Sequence, residues 1–116
     1  DLARFGELLR NDGFYNDQQI VPASWVRDTR LGNDHVRGLF AASEYSGLLP
    51  NGHYRNQVWA DPIAEEIMCI GIHGQFICIN KATNSVIVRF SSQPEPLDLM
   101  MFANTLAGIQ SVSSKI

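Results

Sequence analysis

The chain has 116 residues, 45% hydrophobic and 18% charged, with a formal net charge of −3, enough for one domain with a buried core. Its 9 Lys and Arg residues are scattered singly, so it lacks the basic stripe of a nucleic-acid binder. No apolar run approaches the roughly 18 residues needed to cross a bilayer.

Asp1 suits an N-cap, and Leu2, Phe5, Leu8 and Leu9 recur at helical spacing. Asn11-Asp12-Gly13 ends that helix, with Gly13 suited to the left-handed C′ position. The chain opens at Asp1 inside this helix signal and without a methionine, which suggests a natural N-terminus further upstream. Phe14–Val21 turns about Asn16-Asp17 as a small hairpin or an extended loop. Pro22 stands where a helix starts, and Ala23–Thr29 follows as two turns with Trp25 and Val26 as its buried residues. From Arg30 to His53, glycines at 32, 38, 47 and 52 and Pro50 argue for a long surface excursion, with a helical turn or two within His35–Ser43. Loops of that length often line functional clefts.

Tyr54–Trp59 reads as a strand closed by Asp61-Pro62, and Glu65-Glu66 as part of a solvated turn. Ile67–Ser92 then holds three apolar runs: Ile67–Ile72, Phe76–Ile79 and Val86–Phe90. Their short connections force neighbouring strands antiparallel, because a parallel crossover takes a dozen or more residues. Gln93-Pro94-Glu95-Pro96 forms a rigid linker. Leu97, Met100, Met101, Leu106 and Ile109 mark a C-terminal helix, and Ser111–Ile116 frays. The expected fold is α+β: an antiparallel sheet of about four strands with flanking helices, residues 1–116 forming one segment.

Two cysteines make no disulfide framework. A two-residue loop at His73-Gly74 would set Cys69 opposite Cys78, close enough for a bridge, and a loop one residue longer would part them. Two reduced cysteines acting as small core residues are the plainer reading. Cys69, His73 and Cys78 supply three ligands where a structural zinc takes four, so no metal and no cofactor is expected. There is no Ser-x-x-Lys, no Gly-x-Ser-x-Gly and no phosphate-binding glycine loop. The residues with chemical promise gather at one polar corner, Gly71-Ile72-His73-Gly74-Gln75. His73 also reads as a turn histidine bonded to its own backbone, Gln75 as a structural residue, and Trp59 and Tyr54 as sheet-face packing.

DLARFGELLRNDG, QQIVPASWVRDT, HYRNQVW, GIHGQFICIN and SVIVRFSS follow one another in that order. Together they resemble the C-terminal part of serine hydrolases of the β-lactamase and penicillin-binding-protein superfamily, most of all the class C-like branch with esterases and 6-aminohexanoate-dimer hydrolases. The resemblance reaches to about residue 110 and implies part of a β-lactamase-like (serine transpeptidase) fold. It also implies that the nucleophile and its lysine, on a Ser-x-x-Lys motif, and an assisting Tyr belong to an upstream part. The strand corresponding to Lys-Thr-Gly is Cys69-Ile70-Gly71-Ile72, so the resemblance makes the Ile72 amide half of an oxyanion hole, with Gly71, His73, Gly74 and Gln75 bordering the substrate. Without the cationic Lys and the hydroxyl, β-lactam recognition is in doubt and a small amide or ester is the expected substrate.

The resemblance therefore implies a hydrolase segment, inactive alone, working by an acyl-enzyme mechanism. It associates with itself or with the missing N-terminal part, and binds no nucleic acid. The compartment is left open between cytoplasm and periplasm of a bacterial-type cell. The alternative, on residues alone, is a small non-catalytic α+β module binding a ligand or partner.

Overall fold

The structure, a computed structural model, describes residues 1–94 and 98–116. Glu95 and Pro96 of the expected linker, and Leu97 of the expected helix stripe, lie outside the described residues.

Helix α1 spans Leu2–Arg10. It ends in a Schellman turn, in which Gly13 N–H donates to Leu8 O at 2.8 Å and Asp12 N–H to Leu9 O at 3.1 Å. The left-handed C′ residue is thus Asp12 (φ 54°), one position earlier than glycine preference suggests, and Gly13 (φ 84°) follows it. Strands β1 (Phe14–Tyr15) and β2 (Gln18–Gln19) form a hairpin, with Asn16 and Asp17 both at positive φ. That resolves the open choice at this point. Helix α2 (Ala23–Leu31) follows Pro22. Helix α3 (Asp34–Ala41) starts where Asn33 Oδ1 accepts from Val36 N at 2.9 Å. The helical turns expected inside the long excursion are therefore a full short helix.

The expected strand Tyr54–Trp59 is two strands, β3 (His53–Arg55) and β4 (Val58–Asp61). Asn56 (φ 53°) and Gln57 (φ 63°) make the tight turn between them. Left-handed conformation at both central residues is that of a type I′ hairpin turn, and Asn tolerates it. β5 (Glu66–Gly71), β6 (Gln75–Asn80) and β7 (Ser85–Arg89) complete a five-stranded antiparallel meander in chain order. Helix α4 (Leu99–Ser113) is capped by Asp98, whose carboxylate accepts from Met100 N and Met101 N.

The sheet is covered on both faces. One carries Met68, Phe76 and Cys78 against Phe40 and Leu49 and against Phe102, Leu106 and Ile109 of α4. The other carries Val58, Ala60, Ile67, Ile77 and Ile79 against Leu9 of α1 and Val26 of α2. Strand alternation requires this split, since successive residues point to opposite faces. Both faces being covered explains why the three central runs are continuously apolar. Burying a side chain such as Met68 or Phe76 stabilises the fold by about 1.5–3 kcal/mol relative to leaving it exposed.

Some expected burials fall differently. Leu2 and Phe5 are exposed, and α1 meets the sheet through Gly6 and Leu9. Trp25 is exposed where Val26 is fully buried. Met100 and Met101 face out, and the buried stripe of α4 is Phe102, Leu106, Ile109 and Ser113. Ser113 is bonded to Thr83 and Ser85, so the helix holds through residue 113 instead of fraying at 111. Glu66 belongs to no solvated turn. It is buried in β5 and accepts from Asn80 and from Gln110 of α4.

Candidate functional site

The polar corner joins β5 to β6. Gly71 pairs with Gln75, leaving Ile72, His73 and Gly74 as a three-residue 3-10 turn. With that extra residue Cys69 faces Ile77 and Met68 faces Cys78, so the two thiols lie on opposite faces of the sheet. Both are free. Burial pushes the Cys69 thiol up. Burial, helped by the nearby Glu66 carboxylate, pushes Cys78 up strongly. Thiols held in this way stay protonated and offer no thiolate nucleophile. No group of three or more His, Cys, Asp or Glu side chains converges to hold a metal among the described residues.

Two residues of the turn are left-handed, His73 (φ 67°) and Gly74 (φ 78°). For histidine this conformation is uncommon and persists only when surroundings over-determine it. Those surroundings are the segment leaving β7. Gln93 N–H donates to the His73 carbonyl at 3.1 Å, and the His73 ring meets the Gln93 carbonyl through Nδ1 at 2.8 Å. A carbonyl only accepts, so Nδ1 carries the proton. The Arg89 guanidinium donates to the Gly74 carbonyl. A Cβ on Gly74 would meet the flexible ends of the Gln93 and Arg89 side chains, which can give way, and it is the positive φ that favours glycine there.

Gly71 and Ile72 sit where clefts on the two sheet faces meet. One cleft, of about 280 Å³, is walled by Tyr45, Trp59, Ile70, Leu99 and Phe102. The other, of about 300 Å³, includes Leu2, Gln57, Gln75 and Arg89. The first shares Tyr45, Trp59 and Ile70 with a larger cleft of about 530 Å³ beneath α3, which Val36, Leu39 and Tyr54 also line. Trp59 is the hub of this wall. Its ring makes edge contacts with Tyr45 (5.0 Å), Phe40 (5.7 Å) and Tyr54 (5.7 Å) and a tilted one with Phe102 (6.1 Å). Sheet-face packing and cleft wall are the same surface here, so Trp59 and Tyr54 pack on the sheet as expected and line the cleft as well.

Of the corner residues singled out from sequence, Gly71, Ile72 and Gln75 line these clefts. His73 is bonded to the segment after β7, and Gly74 to Arg89 at the end of β7. Arg89 and Gln93 were not anticipated. The only trace of them is a cation ending an apolar strand and a Gln beyond two serines, which is no motif. The wall residues Tyr45 and Leu99 come from segments remote in the chain and were equally hidden.

A 6-aminohexanoate-dimer hydrolase from Paenarthrobacter ureafaciens is 32% identical over 97 residues, covering 83% of this chain and 24% of the relative. The chain is thus similar to part of an enzyme named as a 6-aminohexanoate-dimer hydrolase. A solved structure from Bacillus anthracis, whose name gives 6-aminohexanoate-dimer hydrolase as a provisional function, matches with TM-score 0.64 at 30% identity, over 100% of this chain and 29% of that one. No family model matches. This chain thus spans about a quarter of the length of the curated relative, and its α+β architecture fits part of a β-lactamase-like fold.

Proposed function

We propose that the chain supplies the oxyanion strand and one cleft wall of a serine hydrolase that cleaves an amide or ester bond through an acyl-enzyme. The observation that carries the reading is the placement of Gly71-Ile72, at the end of β5 and at the junction of the clefts, in a chain related to enzymes named as hydrolases. The Ile72 N–H is the donor for the developing oxyanion, a role that needs a fixed direction and no particular side chain. Gly71 and Gln75 border the substrate. The aromatic and aliphatic wall around Trp59 favours an uncharged, apolar flank beside the scissile carbonyl. The serine, its lysine and the assisting tyrosine belong to another part of the protein, so the isolated chain has no turnover.

Ile72→Pro in the full-length protein is the direct test, because proline deletes this N–H and little else. Gly71 (φ −103°, ψ 158°) already has the extended conformation favoured before proline, and the first position of a 3-10 turn tolerates proline's fixed φ. Loss of one oxyanion donor lowers kcat by about a hundredfold to a thousandfold. With p-nitrophenyl butyrate as probe, unchanged kcat in a folded I72P protein would refute the assignment. So would serine-dependent turnover by residues 1–116 alone.

A further inference from the structure

We propose that His73 is a positioning residue, which aims the Ile72 amide by tying the corner to the segment that leaves β7. The inference rests on the oxyanion reading of Ile72 and goes beyond it. It moves His73 from the substrate border to a brace, and it names Arg89 and Gln93 as the brace's other members.

The Ile72–Gly74 turn is anchored at three points. Gln93 N–H donates to His73 O at 3.1 Å, His73 Nδ1–H donates to Gln93 O at 2.8 Å, and the Arg89 guanidinium donates to Gly74 O. The first two bonds close a ring between His73 and Gln93, one through the main chain and one through the imidazole. The ends of the Gln93 and Arg89 side chains lie beside Gly74, on the side where a Cβ would stand. All three anchors come from residues 89–93, fifteen or more positions along the chain. Ile72 itself is 61% exposed, so its own side chain packs too little to fix its amide. The Gly71–Gln75 pair holds the strand end before this N–H, and the brace holds the turn after it, so the direction of the amide depends on both. A positive φ in a histidine costs free energy, and the ring bond to Gln93 offsets it. Asn would serve in the same place, because it tolerates the left-handed region and carries an amide donor.

The test uses the full-length enzyme with p-nitrophenyl butyrate. His73→Ala loses the donor and keeps the backbone strain, His73→Gly relieves the strain without restoring the donor, and His73→Asn keeps both a donor and the tolerance for positive φ. The expected result is a fall in kcat of about tenfold to a hundredfold for H73A and for H73G, with KM little changed. H73N should recover most of that loss. Wild-type kcat in H73G would overturn the proposal, because the side chain would then have served only the backbone conformation. A KM effect without a kcat effect would return His73 to the substrate border and overturn it equally. A measurement on the unmutated protein guards against misfolding variants: long-range ¹H–¹⁵N spectra should show His73 as the Nδ1–H tautomer, and an Nε2–H tautomer would refute the bond to Gln93. If I72P leaves kcat intact, the oxyanion reading itself fails. If I72P is impaired while H73A and H73G are not, only the brace fails.

Discussion

Gly6→Ala reports most directly on how α1 is seated. Alanine in a helix interior ordinarily gains about 1 kcal/mol over glycine. Here an added Cβ would lie 2.5 Å from Val86 Cγ1 and 3.2 Å from Ile77 Cγ2, the first closer than real Cβ contacts. Both obstacles are β-branched side chains of strands, stiff at χ1, so neither swings aside cheaply. Forcing a methyl into such a contact costs about 1–3 kcal/mol. The net expectation is a loss of about 1 kcal/mol, or about 4 °C in Tm for a chain of this size. Gly38 of α3 and Gly108 of α4 have nothing within 4 Å of an added Cβ, and there the same substitution should stabilise by about 0.5–1 kcal/mol. Urea unfolding of the three variants gives the comparison, with Val86→Ala added to G6A as a partner. The double variant should be less destabilised than the sum of the singles, because residues in contact couple. A stabilised G6A protein, matching G38A and G108A, would refute the close seating of α1 on β6 and β7.

Asp12 ties three segments together, accepting from Arg30 at 2.9 Å and from Lys81 at 2.7 Å. Burial raises its carboxyl, but the hydrogen bonds and charges of Lys81 and Arg30 outweigh this and hold it below the ordinary carboxylate range. A depressed carboxyl stabilises the fold above the unfolded value of about 4, and that stability is lost as pH falls through the folded value. Asp12→Asn should therefore be less stable than wild type near pH 6, by about 1 kcal/mol or less for so exposed a pair. The two proteins should converge in acid-side unfolding curves once the pH lies below the folded carboxyl's lowered range, and a gap that persists there would refute the charge-based account. For the cysteines, thiol titration in denaturant after air oxidation should find both free, with Cys78 slower than Cys69 to alkylate in the native state. A Cys69–Cys78 crosslink in a peptide digest would contradict the opposite-face register. Isolated residues 1–116 should self-associate, because β7 ends the sheet as an edge strand and Leu2, Phe5, Trp25 and Phe90 are exposed. A concentration-independent monomer in sedimentation equilibrium would count against this.

Much of the architecture is written locally and could be read without coordinates. Pro22 and Asp1 placed helix starts, Asn16-Asp17 and Gly13 placed turns, and the apolar runs from Ile67 to Phe90 placed three strands with connections too short for anything but antiparallel pairing. The sequence of motifs was also sufficient to suggest the hydrolase relationship, because motif order survives without knowledge of contacts. Each of these signals is carried by residues within a few positions of one another.

What only the tertiary structure decided depends on partners far along the chain. The Asn56-Gln57 turn was hidden because it lacks the glycine that announces such a hairpin. A single residue in the 72–74 connection determined whether Cys69 met Cys78 or Ile77, since slipping a strand by one residue exchanges its faces. Helix spacing marked α1, α2 and α4, and Val26 as buried, without revealing that Gly6 and Phe102 would be buried while Leu2, Trp25 and Met100 stayed exposed. Glu66 looked like half of a solvated pair until Asn80 and Gln110 supplied its hydrogen bonds. At the corner, Gly71 and Ile72 could be singled out from their own neighbourhood. The clamp by Arg89 and Gln93 could not, because a hydrogen bond to a main-chain carbonyl imposes no motif on either partner.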